Sequence, residues 1–313
     1  MALLFITTSS REVSGWVQEL NKLDPSLDVR VWPHVGNKDE ITFVAAWYHE
    51  PGIFKKFKNL KCISSLGAGV DHLLSDEDLP SHISLVRIVD TSLVQSMTEY
   101  VVWAVLDHYR KMGDYRNLQS KKQWPVKPLP LESRAQNFCV GFMGIGQLGS
   151  HIAQKLSLLG FKVCGWSRTP KKIAGVTSFS GAQELDAFLA EARILVCLLP
   201  LTHDTKGILN SKLFKKLPKG AYLINVARGE LLVEEDVLKA LDLKLLSGAC
   251  FDVFCKEPLP EEHPFWAHPR ITITPHISSV TNPKTAAPQL LENYNRSLQN
   301  KPLLNLVDRK RGY

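Results

Sequence analysis

Between residues 138 and 276 the chain alternates short runs of consecutive apolar residues with stretches where apolar side chains recur every three or four positions. The first kind reads as strands buried on both faces and the second as helices with one buried stripe, which together predict a parallel, doubly wound sheet. FCVGFM (138–143), FKVCGWS (161–167), ILVCLLP (194–200), AYLINVA (221–227), LSGACFDVF (246–254) and RITITPH (270–276) are the strands. HIAQKLSLLG, ELDAFLAEA, SKLFKKL and EEDVLKALD are the helices between them, the first closed by Gly160. A second, weaker alternation fills the first hundred residues, where LLFITT, DVRVW, ITFVAAW and CISSLGAG predict a separate α/β unit. Helical spacing resumes over 97–118, and the Pro-rich WPVKPLP after it marks a connection between units. AAPQLLENYNRSLQN is a further helix, expected to pack back on the first unit and so make the middle unit an insertion.

Composition narrows the class without fixing the activity. The 313 residues are 44% hydrophobic and 22% charged, as in an ordinary soluble globular protein of two domains. The apolar run in MALLFITTSSR is far shorter than a bilayer span and has no basic segment ahead of it, so a buried first strand is expected and no membrane partner. Six cysteines sit mostly in strand-like runs, without a CxxC pair or zinc spacing, which predicts reduced thiols, a cytoplasmic protein and no metal. The net charge of +7 is scattered rather than striped between aromatics, so an anionic small molecule is expected as partner and not nucleic acid.

MGIGQLG brings in chemistry. Gly144, Gly146 and Gly149 follow a predicted strand and open a predicted helix, the context in which this spacing cradles a dinucleotide pyrophosphate. An acid that holds the adenosine ribose is then due about twenty residues on. GWSRT (165–169) has none, and offers Ser167 and Arg168 instead. Losing the carboxylate removes its repulsion of a 2′-phosphate, and a planar cation pairs well with phosphate, so NADP, as NADPH, is the expected cofactor, with NAD still possible.

Three polar residues then follow predicted strands in order: Arg228 in NVARGE, Glu257 in CKEPLP and His276 in PHISS. Together they meet the needs of hydride transfer to a 2-oxo acid: a cation for the substrate carboxylate, an acid for the developing alkoxide, and a group that tunes that acid. With these motifs GAGVDH, LPLTHDTKGILN, NVARGELLVEEDVLKAL, DVFCKEPLP and TPHISS make the chain resemble, over nearly its whole length, the D-isomer-specific 2-hydroxyacid dehydrogenases. It is most similar to their glyoxylate/hydroxypyruvate reductase A type, including WSRT and the closing VDRKRGY.

The resemblance implies two doubly wound α/β domains, a Rossmann-type NAD(P)-binding domain (101–283) inserted into a flavodoxin-like substrate domain (1–100 and 284–313), and a homodimer. It implies catalytic roles for Arg228, Glu257 and His276, and substrate binding by Trp47, Ala68, Gly69 and Arg228. For the cofactor it implies Gly144, Gly146, Gln147, Leu148, Gly149, Ser167, Arg168, Leu199, Pro200, Thr205, Val226, Ala227 and Asp252. The expected reaction is NADPH-preferring reduction of glyoxylate to glycolate and of hydroxypyruvate to D-glycerate. Another D-2-hydroxyacid dehydrogenase, for a longer 2-oxo acid or phosphoglycerate, and a dinucleotide-sensing corepressor-like binding protein are the alternatives.

Overall fold

Leu3 and Phe5 point to one face of the first strand, Leu4 and Ile6 to the other, and all four are buried, because a period-two chain clothed on both sides has no face left for water. The computed structural model describes residues 1–7, 13–128 and 135–313; Thr8 of the predicted LLFITT and the last two residues of WPVKPLP lie outside these. Two compact units emerge, Met1–Leu93 with Val280–Tyr313, and Val94–Ser279.

In the first unit β1 (Ala2–Thr7), α1 (Ser14–Leu23), β2 (Val29–Val31), β3 (Ile41–Trp47), β4 (Cys62–Ser65), α2 (Asp71–Leu74) and β5 (Ser84–Val86) build a parallel sheet of order β2-β1-β3-β4-β5, the flavodoxin-like arrangement. Leu4, Ile6, Val44 and Ile63 pack under Phe54 and Phe57. On the opposite face Leu3, Phe5 and Phe43 meet Trp16 and Leu20 of α1 together with Ala286, Leu290 and Tyr294 from near the end of the chain.

The second unit runs α3 (Thr91–Tyr109), α4 (Met112–Ser120), β6 (Cys139–Met143), α5 (Gln147–Leu158), β7 (Lys162–Ser167), β8 (Thr177–Ser180), α6 (Leu185–Glu191), β9 (Ile194–Cys197), α7 (Ser211–Phe214), β10 (Ala221–Asn225), α8 (Glu234–Asp242), β11 (Leu246–Phe251) and β12 (Ile271–Ile273). Its parallel strands order as β12-β11-β10-β9-β6-β7-β8, the Rossmann arrangement with one strand added. α3 and α5 cover one face through Val101, Val105, Ile152 and Leu156; Phe188 of α6 and Val237 and Leu241 of α8 cover the other. Gly160, at φ 87, closes α5: its N–H reaches Ser157 O at 2.9 Å and the Phe161 N–H reaches Leu156 O at 3.2 Å, pairing two end carbonyls. The final helix α9 (Pro283–Leu298) opens on Asn282, whose side chain accepts from Lys284 N, and it ties back to the first unit where Tyr294 Oη donates to Met1 O at 3.0 Å.

Two features differ from the pattern along the sequence. β5 has only three residues, SLV, and β8 reads TSFS, so neither carries an apolar run long enough to mark it. The helix read over 97–118 begins earlier, at Thr91, and breaks where Lys111 takes φ 57 before α4. The two compact units part inside α3 and after Ser279, and the unbroken α3 carries no mark of where its neighbours change.

Candidate active site

The carboxyl ends of the strands in an open parallel sheet are where loops diverge and ligands settle. In the second unit those ends carry the glycine turn after β6, Ser167 at the end of β7, Leu199 and Pro200 after β9, Arg228 after β10, Asp252 and Glu257 after β11, and His276 after β12.

Each glycine of the turn has its own reason. Gly144 has φ 101, and a Cβ there would lie 2.8 Å from Leu198 O. A Cβ on Gly149 would lie 2.0 Å from Gly144 O, so only glycine lets α5 sit this close to the strand end. A Cβ on Gly146 would meet nothing within 4 Å. The space above Gly146 is thus open, and α5 starts on it with no capping side chain, which leaves the first-turn N–H groups of Gln147, Leu148 and Gly149 for an anion. Downstream, Ser167 Oγ donates to Thr169 O at 2.8 Å and shapes the turn that carries Arg168 on the surface. The side chains of Leu199 and Val226 are buried in the core, so only their backbone is available to a ligand. Thr205 Oγ1 donates to Pro200 O at 2.7 Å and accepts from Thr202 N at 2.8 Å, holding the loop after β9 in shape.

His276 and Glu257 meet, with Nδ1 2.7 Å from Oε2, and each side chain is about one-third exposed at 32% and 33%. Glu257 Oε1 accepts from Phe254 N at 3.0 Å. Burial pushes the Glu257 carboxyl up, but the His276 hydrogen bond, the Phe254 N–H and the charges of His276 and Arg228 outweigh it and hold it below the ordinary carboxylate value. An ionised carboxylate only accepts, so Nδ1 carries the proton in this pair and Nε2 is the nitrogen free to exchange one. Arg228 leaves β10 beside a buried amide: Asn225 Nδ2 donates to Arg228 O at 2.9 Å, and Arg228 Nη1 donates to Ala227 O at 2.7 Å.

Asp252 is fully buried. Its Oδ1 accepts from Thr274 Oγ1 at 2.6 Å and Ile277 N at 2.9 Å, its Oδ2 from Ser278 N at 2.8 Å, and its carbonyl from His276 N at 2.8 Å. Both oxygens of its carboxylate thus accept from the segment that presents His276, and His276 sits at φ 55.

The NAD-binding-domain model of the D-isomer specific 2-hydroxyacid dehydrogenases matches residues 102–278, the stretch that holds the glycine turn and all three polar residues. The chain belongs to that family. Solved structures agree over the full length. A D-isomer specific 2-hydroxyacid dehydrogenase from Xanthobacter autotrophicus Py2, in complex with NADPH and MES, is 39% identical with a TM-score of 0.94, covering 100% of this chain and 99% of that one. The NADPH-dependent glyoxylate/hydroxypyruvate reductase from Sinorhizobium meliloti, in complex with NADP and sulfate, is 36% identical with a TM-score of 0.92 and the same coverage. A probable 2-hydroxyacid dehydrogenase from Rhizobium etli CFN 42, in complex with NADP, HEPES and L(+)-tartaric acid, is 36% identical with a TM-score of 0.91, again covering 100% and 99%.

In the first unit of this dehydrogenase the loop after β4 carries Ala68 and Gly69. Ser65 Oγ donates to Gly69 O at 2.7 Å and accepts from Gly67 N at 3.2 Å, which folds the loop on itself. Trp47, at the end of β3, packs against Tyr48 and His72 and lies so close over Gly67 that a Cβ there would be 2.7 Å from its ring. Arg87, directly after β5, donates from Nη1 to Ala68 O at 3.3 Å. Along the sequence nothing marks Arg87, because nothing marks β5 before it, and nothing marks Thr274, because a threonine within a strand-like run signals only β propensity. Among the described residues no cluster of His, Cys, Asp or Glu is arranged to hold a metal, and no helix is long and apolar enough to cross a membrane.

Proposed function

We propose that this dehydrogenase reduces small 2-oxo acids, glyoxylate to glycolate and hydroxypyruvate to D-glycerate, with NADPH preferred and NADH accepted less well. The observation that carries the reading is the 2.7 Å His276–Glu257 pair, with the charge of Arg228 acting on the same carboxylate, at the carboxyl ends of the strands of a sheet that also bears an uncapped glycine turn there. The cofactor, when bound, supplies the hydride. Gly144–Gly149 hold its pyrophosphate on the first turn of α5, and Ser167 and Arg168 read the 2′-phosphate. The NADPH and NADP in the structures of the relatives support that preference. Arg228 grips the substrate carboxylate and places positive charge where the ketone oxygen becomes negative. Within the first unit, Ala68 and Gly69 offer backbone N–H groups of the kind that bind a carboxylate, and Trp47 packs on their loop. His276, protonated, gives its Nε2 proton to the oxygen, and ionised Glu257 stabilises the imidazolium before that transfer.

A substrate panel run with NADPH and with NADH tests this directly. His276→Ala should lower kcat by about 10²–10⁴-fold, the usual share of general acid catalysis, and leave cofactor affinity intact. Arg168→Ala should cut the preference for NADPH by about tenfold or more, since a charge-assisted contact of roughly 1.5–3 kcal/mol is lost. Equal efficiency with both cofactors, unchanged by Arg168→Ala, would overturn the cofactor assignment. We also propose a cytoplasmic homodimer. Five of the six free cysteines are buried, which suits a reducing compartment, and α3 leaves Trp103 and Leu106 exposed at 41% and 37% as an apolar face for a second copy. Sedimentation equilibrium reads the oligomeric state.

A further inference from the structure

His276 occupies the left-handed backbone region, at φ 55, which a non-glycine residue rarely takes, and the chain around it holds it there. Three consecutive N–H groups, of His276, Ile277 and Ser278, all donate to Asp252, the first to its carbonyl and the others to its two carboxylate oxygens. Asp252 is therefore the post on which the histidine loop hangs. What keeps that post in place is a chain of hydroxyls leading away from the site. Thr274 Oγ1 lies 2.6 Å from Asp252 Oδ1, and Tyr100 Oη of α3 lies 2.5 Å from Thr274 Oγ1 and 3.4 Å from Cys250 Sγ.

The direction of this chain follows from its end. A carboxylate has no proton to give, so Thr274 must donate to Asp252. Its one hydroxyl proton is then used, so Tyr100 must donate to Thr274. Each hydroxyl has one orientation, and the Asp252 Oδ1 lone pairs are fixed between Thr274 and the Ile277 N–H. Burial also pushes the Tyr100 phenol up, so it stays protonated as a donor.

We propose that Thr274 and Tyr100 are positioning residues for catalysis: their hydroxyl chain fixes the Asp252 carboxylate and, through it, the placement of the His276 imidazole. This rests on the reading of His276 as proton donor. Neither hydroxyl is required to touch substrate or cofactor. Their removal acts through the pose of the imidazole, and misplacement of a reacting group by about 1 Å is enough to cost up to 10²-fold in rate.

The test uses Thr274→Val, which keeps the shape and removes the hydroxyl, Thr274→Ser, which keeps the hydroxyl, and Tyr100→Phe, which removes only the far donor. Steady-state kinetics of the full-length protein with NADPH and glyoxylate, with NADPH affinity by fluorescence titration and a thermal melt for each variant, give the readouts. Thr274→Val should lower kcat by about tenfold or more, with NADPH affinity within about twofold of wild type. Tyr100→Phe should lower kcat by a smaller factor, about threefold to tenfold, and Thr274→Ser should restore it to within about twofold. Unchanged kcat in both Thr274→Val and Tyr100→Phe overturns the proposal, as does equal loss in Thr274→Ser and Thr274→Val. A loss confined to NADPH affinity also overturns it, because Asp252 would then serve the cofactor. If Thr274→Val does not fold, Tyr100→Phe and Thr274→Ser carry the decision. His276→Ala separates the two levels: near wild-type turnover there sinks the proton-donor reading itself, whereas an inactive His276→Ala beside unaffected hydroxyl variants sinks only the positioning role.

Discussion

The Glu257 carboxyl bears on stability as well as on the proposed chemistry. It titrates below the ordinary carboxylate value in the folded protein, despite burial, because His276, the Phe254 N–H and Arg228 all favour the charged form. A depressed folded pKa means that the unfolded chain binds the proton more readily. Between the folded and the unfolded pKa stability therefore rises with pH, and the contribution is lost as pH falls through the folded value. Glu257→Gln should flatten the acid limb of stability against pH, measured by chemical denaturation from neutrality downwards, and a slope equal to that of wild type would remove this account. The same variant should lower kcat with glyoxylate, since it takes away the charge that stabilises the imidazolium. Residue types in order along the chain were enough to single out Arg228, Glu257 and His276. They could not single out Thr274 or Tyr100, because a hydroxyl in an apolar run says nothing about which buried carboxylate it will meet.

The glycine turn into α5 lets the fold and the ligand be separated by experiment. Gly146→Ala adds a methyl group that meets no protein atom within 4 Å, so its melting temperature should stay near that of wild type while NADPH affinity falls. Gly149→Ala drives a Cβ to 2.0 Å from the Gly144 carbonyl oxygen, so the turn must move. It should destabilise by about 1–3 kcal/mol, as overpacking does, and lose the cofactor as well. Calorimetry beside cofactor titration distinguishes the two, and equal melting losses would show that the open space above Gly146 is not what the geometry says. This element was legible because every property it needs is local: a strand end, a left-handed turn and an uncapped helix start within a few residues. The strands β5 and β8 were not legible, because the first is only three residues long and the second reads TSFS, so neither carries an apolar run.

At the scale of the whole chain, the first sheet depends on residues from near both ends of the sequence. Leu290 of α9 is fully buried against the Leu3, Phe5 and Phe43 face. Leu290→Ala should cost about 2–5 kcal/mol by chemical denaturation, and a cost below 1 kcal/mol would mean that α9 adds little to that core. The family match over residues 102–278 and the full-length likeness to solved dehydrogenases agree with the two parallel sheets built here. The sequence by itself determined the strand and helix alternation, the dinucleotide turn, the missing ribose acid and the order of the three polar residues, since each rests on side chains close together along the chain. Only the tertiary structure decided that both carboxylate oxygens of Asp252 accept from the His276 loop and that Thr274 links it to Tyr100 on a helix 174 residues earlier. Such contacts are made by packing elements far apart in sequence, and no periodicity within either element encodes the partner.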